Sequence, residues 1–363
     1  MIEHGRFFVP GPTEVRPELL AAMCRPLIFH RGAAMRELME RVTTRLSDIF
    51  GTRRPVHVIT GSGTAAMDLA ARSGTILRVL SIVHGEFGER FARICEACGR
   101  SVTRLAAEPG ETVPLDRIRA ALAAGNYDAV TATHSETATG TLADIAGIGA
   151  VVREFSSCVF LVDAVSSAGA TPIRMDAWGA DAVVSASQKA MALPPGLAFA
   201  AVSETMVERA RGMLDRGTYL DVLRYEEFTS KRESPTTPAV SLLYALDQQL
   251  SDIEAEGLDA RHARHLAMQR ACVEWAERAC RKLEGRGGPE IVAREGARSP
   301  SVICLRTEKA PRVLARMREH GFDLGGGQGA LAGKSFRIGH MGDHTVAGIE
   351  AMLGVLDSVL QSG

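Results

Sequence analysis

Short apolar runs alternate with helical patterns through the first half of the chain. They are bounded by Gly, Pro, Ser or Asp and predict buried strands at 56–60, 78–83, 129–134, 159–164 and 181–187. Between two of these runs, the segment FGERFARICEACG repeats its apolar residues at helical spacing, which indicates an amphipathic helix. Apolar strands that alternate with helices are typical of a largely parallel sheet covered on both faces.

The pattern changes after Thr237-Pro238. Two long segments, 239–258 and 258–285, are rich in Ala, Leu, Arg and Glu and predict long helices. A strand (SVICLR), a helix (PRVLARMREHG), a strand (SFRIGH) and a closing helix (TVAGIEAMLGVLDSVL) follow, and they indicate a small α+β domain. The glycine-rich stretch 325–329 is predicted by its composition to be a mobile loop.

Composition and charge exclude several classes of protein. The 363 residues are 46% hydrophobic and 23% charged, ordinary values for a globular chain, and the length favours two domains. The formal net charge of -1 provides no overall field for nucleic acid or an anionic membrane. The N-terminus lacks a secretory pattern, no run approaches the roughly 18 apolar residues of a spanning helix, and the seven cysteines are scattered. We therefore expect a cytoplasmic protein with reduced thiols.

The first candidate site follows the strand at 56–60. The segment Gly61-Ser62-Gly63-Thr64 leads into a helical pattern, where free backbone N–H groups and the helix dipole favour a phosphate group. Gly61, Gly63 and Ala66 also fit the G-x-G-x-x-A spacing of dinucleotide-binding proteins, with Glu86 25 residues beyond Gly61. A tight strand-to-helix turn without a ligand is a third interpretation.

Two charged residues follow buried strands. Asp163 ends the run VFLVD, and Lys189 comes two residues after the run DAVVSAS. Both side chains are therefore expected at the carboxyl edge of the sheet, where ligands bind. Each alone has an ordinary explanation, a helix cap or salt bridge for Asp163 and an exposed amine for Lys189. A buried lysine, in contrast, favours the free amine that attacks a carbonyl group.

The order of these features matches the needs of one cofactor. Pyridoxal phosphate requires a cradle for its phosphate, a carboxylate that keeps its pyridine nitrogen protonated, and a lysine that forms a Schiff base. The glycine loop, Asp163 and, 26 residues further on, Lys189 supply these groups in one chain. A dinucleotide-dependent enzyme needs no such lysine, so the combination favours pyridoxal phosphate.

No metal site is predicted. Cys95 and Cys98 form a Cys-x-x-Cys pair without a second pair at zinc spacing, and both are expected in the core. The histidines within 262–265 and 340–344 lack the glutamate pattern of a zinc motif and are expected at solvated positions.

Over nearly its whole length the chain resembles the class V aminotransferases of fold type I, near the alanine-glyoxylate and serine-glyoxylate group. The matching stretches are VPGPTEVRPELL, FHRG, TGSGTAAM, HGEFGER, THSETATG, VDAVSSAGATPIRMDAWGADAVVSASQKA, TTPAVSLLYAL and SFRIGHMG. The resemblance implies an α/β fold with three parts: an N-terminal arm (1–20), a large cofactor-binding domain with a mainly parallel seven-stranded sheet (21–255), and a small α+β C-terminal domain (256–363).

The resemblance also implies a role for each residue of the glycine loop. Ser62, Gly63 and Thr64 would bind the phosphate of the cofactor, and Gln188 would assist them. Phe87 would take the aromatic position that stacks on the pyridine ring.

Four further positions carry implied roles. Thr137 would hydrogen-bond the phenolic oxygen of the cofactor, and Asp163 would pair with the pyridinium nitrogen. Lys189 would alternate between Schiff-base partner and proton carrier. Arg337, in the strand SFRIG, would hold the substrate carboxylate as a bidentate fork.

The resemblance further implies a homodimer with active sites at the interface. Thr237 resembles the family threonine that reaches across to the phosphate of the neighbouring subunit. The chain departs from the glyoxylate enzymes at two places. Glu233 or Ser234 stands where their aromatic phosphate partner is expected, and Phe87 replaces a common tryptophan.

We therefore expect a ping-pong transamination from a small donor, alanine or serine, to glyoxylate or pyruvate. The alternative within the family is 2-aminoethylphosphonate-pyruvate aminotransferase, whose lysine usually follows Asn where this chain has Gln188. A cysteine desulfurase would need a histidine before Lys189 and a late reactive cysteine, and 305–363 contains none. From a different class, an NAD-dependent oxidoreductase would leave Lys189 and Arg337 unexplained, as would a protein that only binds a ligand.

Overall fold

The computed structural model of the protein describes residues 5–283 and 288–361. Its strands are β1 (Phe7–Phe8), β2 (Val56–Thr60), β3 (Arg78–Val83), β4 (Ser101–Ala106), β5 (Ala129–Thr133), β6 (Ser135–Glu136), β7 (Thr141–Leu142), β8 (Val159–Asp163), β9 (Ala182–Ala186), β10 (Leu197–Val202), β11 (Glu290–Ile291), β12 (Val302–Arg306), β13 (Asp323–Gly326) and β14 (Ser335–Gly339). Its helices are α1 (Pro17–Ala22), α2 (Ala33–Phe50), α3 (Gly63–Gly74), α4 (Glu86–Ala97), α5 (Leu115–Ala124), α6 (Ile145–Val152), α7 (Met175–Trp178), α8 (Glu204–Arg211), α9 (Val222–Ser230), α10 (Val240–Glu256), α11 (Leu258–Lys282), α12 (Ala310–Glu319) and α13 (Val346–Gln361), with a 3-10 turn at Gly329–Leu331.

A seven-stranded sheet forms the larger part of the molecule, in the order β2-β10-β9-β8-β5-β3-β4. The strands from β9 to β4 run parallel to one another, and β10 is antiparallel to both of its neighbours. One apolar layer packs beneath α2, α5, α6 and α10, and a second packs beneath α3, α4 and α8. The predicted α/β fold with a mainly parallel seven-stranded sheet is confirmed.

All five strands named from the apolar runs are present in the large sheet, and the other two strands of this sheet, β4 and β10, were missed. β4 lies at the edge of the sheet, where only one neighbour pairs with it and most of its side chains are exposed or half-buried. A strand in that position needs no continuous apolar run, so its sequence carries little signal. β10 is fully buried, but it is rich in alanine and comes directly after Pro194-Pro195-Gly196, which is typical of a turn.

A second sheet, in the order β1-β13-β14-β12-β11, packs against α11, α12 and α13 around its own apolar core. The prediction of a mobile loop at 325–329 is wrong for its first two residues, because Gly325 and Gly326 belong to β13 and pair with Arg337 and Phe336. A side chain at Gly325 would lie 2.5 Å from Cδ of Pro10. Glycine therefore permits the close approach of the N-terminal segment to this strand.

The two cores meet between α10 and α11. We propose the domain boundary near residues 255 and 256, because α10 packs with the first core and α11 with the second. Arg261, which is 2% exposed, connects the two parts by donating to the carbonyl oxygens of Gly169 and Ala190 and to the carboxylate of Asp343. None of the helices within the described residues is long and apolar enough to cross a membrane.

Candidate active site

A cavity of about 350 Å³ opens where β2, β8 and β9 end. Most of the predicted cofactor-binding side chains lie on its wall, although they are far apart in the sequence. The lining includes Ser62, Gly63, Thr64, Phe87, Asp163, Gln188 and Lys189.

The N-terminus of α3 supplies free donors to this cavity. Ser62 precedes the helix in an extended conformation and does not cap it with its side chain, and the first turn contains no acidic residue. The N–H groups of Gly63 and Thr64 have no protein acceptor within the described residues. A Cβ atom at Gly63 would lie 2.9 Å from Cγ2 of Val165, so the close packing at this point requires glycine. The end of this helix is an anion site of the kind that binds phosphate.

Lys189 is 7% exposed and donates from Nζ to the carbonyl oxygen of Pro10. Its Nζ lies 5.6 Å from the centroid of the Phe87 ring. Burial lowers the pKa of Lys189 to about 8, with a further contribution from the positive charge of Arg337. About one tenth of the lysine is therefore the neutral, nucleophilic amine at pH 7, far more than for an ordinary lysine.

Asp163 is 2% exposed, and its Oδ1 accepts a hydrogen bond of 2.8 Å from the N–H of Val165. Burial raises the pKa of Asp163 to about 6, and the nearby charge of Lys189 opposes this shift. The carboxylate is thus ionised at neutral pH without a direct ion pair, which makes it a strong acceptor for a protonated ring nitrogen.

Phe87 stands in the first turn of α4, and its position depends on a residue that the sequence analysis did not single out. Glu136 is fully buried, and its Oε2 accepts from the N–H groups of Phe87 (3.0 Å) and Gly88 (3.1 Å). Its Oε1 accepts from the N–H of Ala138 at 3.0 Å. Burial raises the pKa of Glu136 to about 7. Because no sequence pattern links residue 136 to residue 87, only the fold reveals this contact.

Gln188 lines the cavity, whereas Thr137 is not among the lining residues. The hydroxyl of Thr137 lies 2.5 Å from that of Ser166 and is buried. The side-chain oxygen of Gln188 is buried without a hydrogen-bond partner. Rotation of the terminal amide exchanges its oxygen and nitrogen, so the unpartnered end of Gln188 can present its NH₂ group to a phosphate.

Arg337 is 7% exposed and has no acidic partner within the described residues. Its Nε donates to Gly326 O at 2.8 Å, and its Nη1 donates to Thr137 O and to Oε1 of Gln328, both at 3.2 Å. Within the described residues only Nη2 is without an acceptor, so the expected bidentate fork is not free in this conformation. Burial lowers the pKa of Arg337, and the nearby Cys304 and Glu136 oppose this shift. All three hydrogen-bond acceptors are neutral, so the guanidinium forms no ion pair with the described residues.

Thr237 does not join the cavity of its own chain and is exposed. Glu233, a few residues earlier, is bound by Arg31 at 2.8 Å and by Arg36 at 2.9 Å. Arg31 also donates to the main-chain oxygen of Ser234 at 2.8 Å. Glu233 and Ser234 are therefore engaged with the segment that begins α2, and neither presents a hydroxyl group comparable to that of a tyrosine.

Arg90 lines the cavity and was also missed from the sequence. Its guanidinium carbon lies 4.6 Å from the centroid of the Phe87 ring, one helical turn along α4. It forms no ion pair with any acidic residue in the described parts of the chain. The spacing of Phe87 and Arg90 would have indicated a shared helix face, but not that this face borders the cavity.

The described residues contain no group of three His, Cys, Asp or Glu side chains arranged to hold a metal ion. The expectation that the histidines at 262–265 and 340–344 are solvated is wrong for His265 and His340, which are fully buried, and for His344, which is 8% exposed. Cys95 is buried as expected, whereas Cys98 is half-buried at the end of α4.

A mainly parallel sheet with a buried lysine, a buried aspartate and a free helix N-terminus around one cavity defines the class of pyridoxal-phosphate enzymes of fold type I. Comparison with known proteins then specifies the family. The family Aminotransferase class-V matches residues 18–310. The chain belongs to this family and is a pyridoxal-phosphate-dependent transaminase, so the dinucleotide interpretation of the glycine loop is wrong.

Individual relatives match almost the full chain. An aminotransferase of Methanocaldococcus jannaschii with no characterised activity is 39% identical, over 92% of this chain and 87% of its own. L-aspartate–glyoxylate aminotransferase of Paracoccus denitrificans is 32% identical, over 96% and 89%. The crystal structure of alanine–glyoxylate aminotransferase from Nostoc sp. superimposes with a TM-score of 0.90 at 30% identity and covers 98% of this chain and 95% of that one.

Proposed function

We propose that this transaminase moves the amino group of alanine or serine to glyoxylate or pyruvate in a ping-pong reaction, with Lys189 holding the cofactor as a Schiff base. The observation that carries the proposal is the convergence of Lys189, Asp163 and the free N-terminus of α3 on one cavity. Relatives named for glyoxylate as acceptor support the choice of the oxo acid.

Each group has a separate task in this proposal. Bound pyridoxal phosphate supplies a ring that accepts electrons from the α-carbon of the substrate. Asp163 keeps a proton on the ring nitrogen, and the N–H groups of Gly63 and Thr64, with Ser62 and Gln188, hold the phosphate. Lys189, once released from the cofactor, would take the α-proton on its neutral Nζ and deliver it to the former aldehyde carbon of the cofactor, which its lowered pKa permits. Phe87 would stack on the ring, and Val165, which also lines the cavity, would help to exclude water.

Arg337 would bind the substrate carboxylate. Donor and acceptor both carry this group next to the reacting carbon, so one cationic site serves both halves of the reaction. Within the described residues Arg337 has no ion pair and its Nη2 has no acceptor, which supports this role. Thr137, whose main-chain oxygen accepts from Arg337, would hold the phenolic oxygen of the cofactor through its hydroxyl.

Aspartate is a second candidate donor, and Arg90 is the observation that favours it. Among the charged side chains that line the cavity, Asp163 and Lys189 already have tasks, and Arg90 is without an acidic partner in the described residues. A donor with a second carboxylate would provide that partner. One relative of the chain is named for aspartate as donor.

We further propose a homodimer in which Thr237 completes the phosphate site of the partner subunit. Thr237 is exposed in the single chain, as a residue that contacts another subunit must be. Leu20, Leu27 and Phe29, close together in sequence, are 48%, 73% and 68% exposed, and such apolar groups favour an interface. All seven cysteines are free thiols, which supports a cytoplasmic location.

The test is the absorption spectrum of the purified protein while single donors are added. A band near about 410 to 420 nm that is lost on borohydride treatment indicates the lysine-bound cofactor. Alanine, serine, aspartate and 2-aminoethylphosphonate are then supplied separately, and the donor that bleaches the band identifies the substrate class. A protein that stays colourless with added pyridoxal phosphate would overturn the proposal. A loss of aspartate turnover alone in Arg90→Ala would favour aspartate.

A further inference from the structure

Glu136 is a buried carboxylate that no ion pair explains. Within the described residues it contacts no arginine or lysine at ion-pair distance, and all three of its hydrogen bonds come from main-chain N–H groups. Two of these groups, at Phe87 and Gly88, belong to the first turn of α4, where a helix lacks internal acceptors and carries a partial positive charge. Glu136 therefore serves as the acceptor for the start of α4.

The surrounding backbone leaves room for this carboxylate. Gly85 precedes α4, and a Cβ atom at Gly85 would lie 2.7 Å from Cγ of Glu136. No side chain fits between them. The direct contact places the α4 N-terminus against residue 136 and fixes where the Phe87 ring projects over the cavity.

We propose that Glu136 is a positioning residue that fixes Phe87 against the pyridine ring of the cofactor by binding the first turn of α4. The inference rests on the proposed function, because it uses the stacking role of Phe87. It also connects the two sides of the site. The next residue, Thr137, accepts a hydrogen bond from Arg337, and Ala138 donates to Glu136. The short segment 136–138 therefore contacts both the helix that carries Phe87 and the arginine proposed to bind the substrate carboxylate.

Glu136→Gln is a sharp perturbation because it keeps the size of the side chain but removes one acceptor. Oε1 and Oε2 both accept from N–H groups, so either orientation of a glutamine points its NH₂ group at a main-chain donor. The first turn of α4 must then shift or lose a hydrogen bond. Glu89→Gln is the matched control, since Glu89 lies in the same helix and binds Arg93 and Arg104 on its outer side.

The experiment is a double-mutant cycle on cofactor affinity. Apoenzymes of the wild type, Glu136→Gln, Phe87→Leu and the double variant are titrated with pyridoxal phosphate, and the dissociation constant is read from absorbance. We expect the dissociation constant to rise at least tenfold in each single variant and to stay unchanged in Glu89→Gln. In the double variant it should be at most about twofold higher than in whichever single variant binds the cofactor more weakly.

Two results would overturn the inference. One is unchanged cofactor affinity in Glu136→Gln, and the other is a double variant whose loss equals the product of the single losses, since Glu136 would then act independently of Phe87. If Glu136→Gln does not fold, Gly85→Ala displaces the same carboxylate and replaces it in the cycle, with the same two criteria. A wild type that binds no cofactor refutes the proposed function itself, which separates the two failures.

Discussion

Gln328 accepts a hydrogen bond from Nη1 of Arg337 through its side-chain oxygen, over 3.2 Å. Together with the bonds to Gly326 and Thr137, this leaves Nη2 as the free nitrogen of the guanidinium. A substrate carboxylate that forms two parallel bonds must therefore replace one of these three acceptors, and Gln328 is the only one of them that uses a side chain, which can move away. Gln328 therefore competes with the substrate carboxylate for Nη1 of Arg337.

Gln328→Glu tests this competition. A carboxylate at this position pairs with Arg337 more strongly than a neutral amide, so we expect the KM of donor and oxo acid to rise at least tenfold. The kcat at saturation should change less than about threefold, and the spectrum of the bound cofactor should not change. Gln328→Met, neutral and of similar length, is the control and should leave KM within about threefold. Equal KM values for the Glu variant and the wild type would contradict the observed contact.

The pKa of Lys189 predicts how the apoenzyme takes up its cofactor. Only the neutral amine attacks the aldehyde, so the rate should rise tenfold per pH unit up to about pH 8 and then level off. The positive charge of Arg337 is the second largest cause of the lowered pKa of Lys189, after burial. Arg337→Met removes this charge, so the midpoint of the rate profile should move to higher pH. Stopped-flow absorbance measures both, with Arg119→Met on the surface as the control. A wild-type midpoint above pH 10 would show an unperturbed lysine.

Asp163→Asn should stabilise the apoenzyme while it abolishes transamination. The folded pKa of Asp163 is raised from 3.8 to about 6, so the folded state loses stability as the pH rises between these values. Above pH 6 this shift lowers the free energy of unfolding by about 3 kcal/mol. Asparagine has no charge to bury, and its side-chain oxygen can still accept the hydrogen bond from the N–H of Val165. Urea unfolding should show a gain of about 1 to 3 kcal/mol at pH 8 that disappears near pH 4. A loss of stability at pH 8 would refute this prediction.

Phe29→Asp should weaken the proposed dimer. Phe29 is 68% exposed near Leu27 in sequence, and a buried charge at an interface is costly. Sedimentation velocity should show a larger monomer fraction, and dilution should reduce activity because Thr237 of a partner is lost. Ile76→Asp is the control, since Ile76 is 50% exposed in a different part of the chain. Dissociation by Ile76→Asp but not by Phe29→Asp would indicate a different interface.

The sequence by itself determined the fold class and most of the candidate cofactor site. Continuous apolar runs identified five of the seven strands of the large sheet, because strands buried on both faces permit few polar residues. Asp163 and Lys189 follow such runs directly, so the carboxyl edge of the sheet had to bring them together. Edge strand β4 escaped detection, since its exposed face carries ordinary polar residues.

Only the tertiary structure decided what acts on these groups from elsewhere in the chain. Glu136 holds Phe87 across 49 positions, and Gln328 occupies Arg337 from a segment expected to be a mobile loop. The burial that shifts the pKa of Lys189 and Asp163 also comes from the assembled packing. The sequence pattern of a helix or strand shows which of its faces is apolar. The contacts of Glu136 with Phe87 and of Gln328 with Arg337 depend instead on how separate elements pack together, and the pattern of one segment does not identify its distant partner.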